Sequence, residues 1–260
     1  MTLANISGVV MDMDGVLWRG DVPLPGVVEW FTLLRARGIP FVLATNNSTK
    51  TPNDYVEKLA RFAIRDVDPR LIITSSTTTV DYLRKHYPQG TKVFVVGGDG
   101  LRTLLTEGGF QLADDARLVV AGLDPELTYT KLKQATLLIR AGAEFIGTND
   151  DRTFPTAEGL TPGAGSILAA IQTATDTIPR TMGKPNAPMY EAALAILGTA
   201  PEHTLMIGDR LETDIAGAQR MGFRTALVLT GVATMDDVEQ NDVKADVIYD
   251  DLNALMSAFG

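Results

Sequence analysis

The chain is predicted to be α/β, built on a doubly wound, Rossmann-like parallel sheet with an inserted α/β domain. Three observations carry that expectation. Apolar runs of four or five residues recur along the whole length. The segments between them carry helix start and stop residues, the alternation that parallel sheets require. Several runs end in polar clusters, and such sheets place their sites at the carboxyl ends of strands.

Residues 9–13 read as the first buried strand. Pro25 then opens a segment with apolar residues at Val27, Trp30, Phe31 and Leu34, and Gly38 closes it as a helix C-terminus would. Residues 41–44 form the next strand and end in Thr45-Asn46-Asn47-Ser48. A helix follows, with Thr51 as N-cap, Pro52 at its first position and Asp54 near the positive end of its dipole. Residues 71–73, 93–96, 118–121 and 145–147 are further strands, with a helix over 127–141. Residues 204–207, 226–229 and 247–248 complete the set. Residues 148–165 mix Asn, Asp, Arg, Phe, Pro and Gly and read as a shaped loop rather than a regular element.

Composition narrows the function. The 260 residues carry a net charge of −9, which argues against nucleic acid as a partner. No apolar stretch approaches the roughly 20 residues that span a bilayer, so no membrane partner is expected. Met1-Thr2-Leu3-Ala4-Asn5 has no basic leader and is not expected to be a signal peptide. The absence of cysteine excludes disulfides and thiol catalysis and fits a cytoplasmic location. His86 and His203 are the only histidines, too few for a histidine-based metal centre.

Strand-end polar clusters fall in both terminal parts of the chain, while the middle lacks them. The expected organisation is therefore a discontinuous catalytic domain, residues 1–87 and 180–260, around an inserted α/β domain, residues 88–179. In the first cluster an extended Asp12-Met13-Asp14 points both carboxylates the same way, and such like charges call for a cation, a shared proton or phosphate chemistry. A turn that ends the strand is the plainer reading of Asp14-Gly15. Thr45, Asn46 and Asn47 offer a hydroxyl, amides and backbone N–H groups to phosphate oxygens, or else form an Asx turn. Gly183-Lys184-Pro185 sets a point positive charge on a short ledge. Asp209 ends a strand, and Thr213 or Asp214 caps a helix that Gly222 terminates. Together these groups suit carboxylate attack on a phosphate: Mg²⁺ and Lys184 offset the charge, Thr45 holds an oxygen and Asp14 moves the proton.

In order and content, Asp12-Met13-Asp14-Gly15-Val16, Thr45, Lys184 and Gly208-Asp209 with Asp214 resemble the motifs of the haloacid dehalogenase-like phosphatases. Asp14-Gly15-Val16-Leu17, Thr45-Asn46-Asn47-Ser48, Gly183-Lys184-Pro185 and Gly208-Asp209 through Thr213-Asp214 are similar to the NagD and p-nitrophenylphosphatase branch. The resemblance implies that Asp12 is a nucleophile forming an aspartyl phosphate and that Asp14 is the general acid and base. It also implies Mg²⁺ held by Asp12, the main-chain carbonyl of Asp14 and Asp209, with Asp214 acting through water. Thr45, Asn46, Asn47 and Lys184 would hold the phosphoryl group. Phe154 falls at a position of the cap that faces substrate in this branch; plain packing is the alternative. The expected substrate is a small phosphorylated metabolite, and a homodimer through the cap would fit. Two other functions are compatible with an acidic cluster, Thr and Lys: phosphotransfer to an acceptor other than water, and a receiver-type signalling module that keeps its phosphoryl group.

Overall fold

The structure, a computed structural model, describes Leu3, residues 5–156 and residues 158–259. Within it the chain divides into two compact units, one of residues 1–45, 52–73 and 184–260, the other of residues 46–51 and 74–183.

The first unit is built on a six-stranded sheet. Its strand order is Val247–Tyr249, Arg224–Val228, Thr204–Gly208, Gly8–Met11, Phe41–Thr45 and Ile72–Thr74. Gly8–Met11 lies in the middle and pairs in parallel with Thr204–Gly208 on one side and Phe41–Thr45 on the other. The chain builds Phe41–Thr45 and Ile72–Thr74 on one side of it and later returns to build Thr204–Gly208, Arg224–Val228 and Val247–Tyr249 on the other, the kind of switch point at which doubly wound sheets place ligands. All four residues of Gly8–Met11 and all five of Thr204–Gly208 are buried. That accounts for apolar runs without alternation, because both sheet faces are covered. Trp30, Phe31 and Leu34 of helix Val27–Ala36 pack on one face with Leu59 and Leu255. Met189, Tyr190 and Ala193 of helix Ala187–Leu197 pack on the other.

The second unit repeats the principle with five parallel strands ordered Arg180–Thr181, Glu144–Gly147, Leu118–Ala121, Lys92–Val96 and Gln111–Leu112. Helices Ser75–His86 and Asp99–Glu107 supply Val80, Leu83, Leu101 and Leu105 to one core. Helices Tyr129–Arg140 and Ala164–Thr175 supply Ala135, Ile139, Ile167 and Leu168 to the other. The units thus meet at other points of the chain than residues 88 and 179. Helix Ser75–His86 belongs with the second unit because Val80 and Leu83 pack against Val93, Leu105 and Leu118. Residues 46–51 join the same unit through polar ties: Ser75 Oγ donates to the Asn46 carbonyl (2.6 Å) and Ser76 Oγ to the Ser48 carbonyl (2.9 Å). An apolar helix face does not announce which of two similar sheets it will cover.

The expected loop over 148–165 is instead partly a β-hairpin, Thr153–Thr156 against Gly159–Pro162, in antiparallel register with Phe154 opposite Thr161. Thr161 Oγ1 donates to the Phe154 carbonyl at 3.0 Å, and Gly159 adopts φ +128°, which side-chain-bearing residues rarely reach. Among the described residues no helix is long and apolar enough to cross a membrane.

Candidate active site

The candidate site rests on strand ends of the first unit. Gly8–Met11 delivers Asp12, whose backbone N–H donates to the Ile207 carbonyl at 2.9 Å. Thr204–Gly208 delivers Asp209, and Phe41–Thr45 ends on buried Thr45. Asp12, Asp209 and Asp214 come together, with one carboxylate oxygen from each lying within 4.8 Å of the others.

Lys184 binds this trio into a network. Its Nζ meets Asp12 Oδ1 at 2.5 Å, Asp214 Oδ1 at 2.7 Å and the Ala44 carbonyl at 2.9 Å. An ammonium has three protons, so these contacts fix its position in space. The Lys184–Pro185 peptide on the ledge is cis. The side chains of Lys184 and Asp214 keep 2% and 1% of their surface exposed, against 12% for Asp12. Asp12 is therefore the carboxylate of this network that a small anion can reach.

Asp214 does more than cap. The sequence places it at a helix N-terminus, but it sits inside a π-helical turn, Leu211–Ile215, that runs into helix Ala216–Arg220. Its Oδ2 reaches back to accept from the N–H groups of Asp209 (3.2 Å) and Arg210 (3.1 Å). The wider turn lets a side chain bond to the strand end that precedes it. Tyr190 anchors the turn from the neighbouring helix by donating to the Thr213 carbonyl at 2.6 Å. Asp209 Oδ2 accepts from Val232 N–H at 2.8 Å, whereas Oδ1 is buried with no hydrogen-bond partner among the described residues.

Glycine is needed beside Asp209. A Cβ on Gly231 would lie 1.8 Å from Asp209 Oδ2, and one on Gly15 would lie 2.3 Å away. Gly15 also has φ +92°, where a side chain is strained. Thr230 Oγ1 donates to the Gly15 carbonyl at 2.6 Å, so two strand-end loops close around one carboxylate.

Asp14 stands apart from the acidic trio. Its Oδ1 accepts from the indole N–H of Trp18 at 2.8 Å. Thr45 lies at its strand end as expected. Asn46 and Asn47 belong to the second unit, where Asn46 Nδ2 donates to Asp151 Oδ1 (3.1 Å) and Asn47 Oδ1 accepts from Thr49 N–H (2.8 Å) in an Asx turn. Phe154, half-buried, also lies in that unit, on the hairpin. Sequence reasoning missed Trp18, Tyr190 and the Thr230-Gly231-Val232 loop. The loop follows an apolar strand like the other clusters and was open to the same reading. Trp18 and Tyr190 look like core residues in any pattern of apolar spacing.

Burial pushes the Asp12 carboxyl well above the usual range, with Lys184 opposing and Asp214 and Asp209 adding to the rise. Burial, then the Asp214 charge, pushes Asp209 up to about 7. Burial alone would lower Lys184, but the Asp12 and Asp214 charges outweigh it and hold the ammonium protonated. This concentration of negative charge, the partnerless Asp209 Oδ1 and an all-oxygen donor set fit a hard divalent cation such as Mg²⁺. Asp209 titrates higher folded than the roughly 3.9 of an unfolded Asp, so without a cation its contribution to stability falls as pH rises from about 4 to about 7. A cation held here would compete with protons for the same oxygens. The rise in Tm produced by saturating MgCl₂ is expected to be larger at about pH 7.5 than at about pH 5.5. Equal shifts in calorimetric scans at the two pH values would count against cation binding at these carboxylates.

A family model described as haloacid dehalogenase-like hydrolase matches residues 9–111, and a second, HAD-hydrolase-like model matches residues 181–255. The chain belongs to the haloacid dehalogenase-like hydrolases. Acid sugar phosphatase of Staphylococcus aureus is 39% identical over 246 residues, 94% of each chain. The solved structure of 4-nitrophenylphosphatase from Thermotoga maritima is 34% identical and covers 99% of both chains with a TM-score of 0.95. NagD from Escherichia coli K-12 is 32% identical, covers 97% of this chain and 98% of its own, and gives a TM-score of 0.86. This haloacid dehalogenase-like hydrolase is an enzyme, a phosphatase on the NagD-like branch of the family.

Proposed function

We propose that this enzyme hydrolyses small phosphate monoesters with the aid of Mg²⁺, through an aspartyl phosphate on Asp12. The observation that carries the reading is the Asp12 carboxylate itself, tied to the Lys184 ammonium at 2.5 Å beside two further buried carboxylates and still open to a ligand. Sugar phosphates lead the substrate classes, in keeping with the acid sugar phosphatase relatives, followed by aryl phosphates, nucleoside monophosphates and phosphoglycolate-like acids.

Asp12, Asp209 and Asp214 would hold the cation together with the Asp14 main-chain carbonyl. The cation supplies positive charge that offsets the repulsion between a carboxylate and a phosphate dianion. The free Asp12 oxygen attacks phosphorus, and the bond from phosphorus to the leaving oxygen breaks. Asp14 gives its proton to that oxygen, so an alcohol departs rather than an alkoxide. Water then attacks the aspartyl phosphate, Asp14 takes a proton from it, and inorganic phosphate leaves with Asp12 restored. Thr45 and Lys184 hold the equatorial oxygens as their charge redistributes. Asn46 and Asn47 are assigned to the same anion, and Phe154 to contact with the organic part of the substrate.

A panel of phosphate monoesters assayed with Mg²⁺ and again after chelation tests the reading. Sugar or aryl phosphates should be hydrolysed only with the cation present. No turnover of any monoester, or full turnover by metal-free protein, would overturn it, and faster product formation with added alcohol acceptors would point to phosphotransfer. Asp14→Asn should lower kcat about 100- to 10,000-fold for alkyl phosphates, the usual worth of a placed acid–base group. The loss should be much smaller for 4-nitrophenyl phosphate, whose leaving group departs without a proton. An equal loss for both would remove Asp14 from proton transfer.

A further inference from the structure

We infer that Trp18 is a positioning residue for proton transfer, holding the Asp14 carboxyl in one orientation. This inference rests on the phosphatase reading above.

The residues after Asp14 fold back sharply. Leu17 N–H donates to the Met13 carbonyl at 2.8 Å, and Gly15 N–H donates to the Trp18 carbonyl at 2.8 Å. Trp18 thereby returns alongside Asp14, four residues earlier in the chain. A short antiparallel pairing, Trp18 opposite Pro23 and Arg19 opposite Val22, keeps its backbone there.

The indole is then immobilised on every side. It is fully buried, stacks on Tyr55 at 6.2 Å between centroids with 16° between planes, and meets Phe62 at 5.9 Å. The buried Lys58 ammonium lies 4.4 Å from the ring centroid and donates to the Gly20 carbonyl at 2.7 Å, which ties down the turn that follows Trp18. Packing alone does not call for a ring N–H. What tryptophan adds is a single N–H, directed at Asp14 Oδ1 at 2.8 Å.

The chemistry of that bond sets the consequence. An indole N–H donates and never accepts. Asp14 Oδ1 is therefore engaged as an acceptor, which holds the carboxyl in one orientation and leaves Oδ2 as the oxygen the indole does not engage. A carboxyl free to rotate would divide the proton between two oxygens and two orientations. One held by a rigid ring presents the same oxygen to the leaving group and later to water. Placement of this kind is what makes an acid–base group effective.

The test combines Trp18→Phe with a sulfur isostere of tryptophan, benzothienylalanine, at position 18. The isostere keeps the bicyclic ring and its stacking but lacks the N–H. Both should lower kcat for alkyl phosphates about tenfold with KM little changed, and should lower kcat for 4-nitrophenyl phosphate less than about threefold. In an Asp14→Asn background Trp18→Phe should add no further loss, because a residue that acts through Asp14 has nothing left to position. Equal losses for both leaving groups, or an undiminished loss in the Asp14→Asn background, would overturn the inference while leaving the phosphatase reading intact. Retention of full alkyl phosphatase activity by the isostere protein would do the same. A wild-type protein that hydrolyses no monoester would end both.

Discussion

Asp12→Asn is expected to abolish turnover of every phosphate monoester, by at least about 1,000-fold, while the far-ultraviolet circular dichroism stays that of the wild type. An amide at this position can still accept from Lys184 and fill the same volume, so packing on the buried strand is retained. It is a far weaker nucleophile than a carboxylate and cannot form a stable acyl phosphate. The change also removes one of the three buried negative charges, so the metal-free protein should be no less stable than the wild type and Mg²⁺ should bind more weakly. Rapid quenching with a radiolabelled substrate should trap phosphorylated protein from the wild type and none from Asp12→Asn. Near-normal turnover by a correctly folded Asp12→Asn protein would require another nucleophile.

Lys184→Met is expected to damage both stability and catalysis, for one electrostatic reason. The ammonium is 2% exposed and lies within 2.7 Å of two carboxylate oxygens. Breaking a buried ion pair from one side costs about 3–5 kcal/mol, because the partner charge stays buried and uncompensated. Methionine keeps the apolar length of the side chain, so the loss reports charge rather than a cavity. The destabilisation, read from urea unfolding of metal-free protein near neutral pH, should shrink at about pH 5, where protonation neutralises the stranded carboxylates. Saturating MgCl₂ should restore part of the stability, since it supplies positive charge to the same oxygens. Turnover should remain at least about 100-fold down, because the charge fixed against the transferred phosphoryl group is gone. An unchanged urea midpoint in the absence of Mg²⁺ would show that the ion pairs contribute nothing to the fold.

The core of the site is legible because its residues stand at the ends of apolar strands. The positions of Asp12, Thr45 and Asp209 follow from locating residues 9–13, 41–44 and 204–207 as strands, and the helices start close to the prolines, at Val27 behind a Gly26 that makes no side-chain cap and at Pro52. Asp214 shows where this reasoning stops. A carboxylate just before a helix has capping as its ordinary role, and nothing local reveals a π-helical turn that bends it back to the N–H groups of Asp209 and Arg210. Phe154 makes the same point from the other side: the Gly- and Pro-rich composition around it reads as irregular, while the cross-strand register with Thr161 makes a hairpin.

What the sequence by itself determined is the set of local choices: an α/β alternation, which runs are buried on both faces, and the ordered polar groups proposed to handle phosphate. These follow from hydrophobic period, capping residues and charge, all expressed within a few positions of one another. Tertiary structure alone decided which sheet each helix covers and which partners meet across the chain. Helix Ser75–His86 joined the second unit through Val80 and Leu83. Asp12 met a lysine 172 positions away, and two glycines from different loops made room for one carboxylate. Those outcomes depend on the packing of apolar faces and the pairing of charges taken out of water, interactions whose strength is set by distance in space and by burial, neither of which is written in separation along the chain.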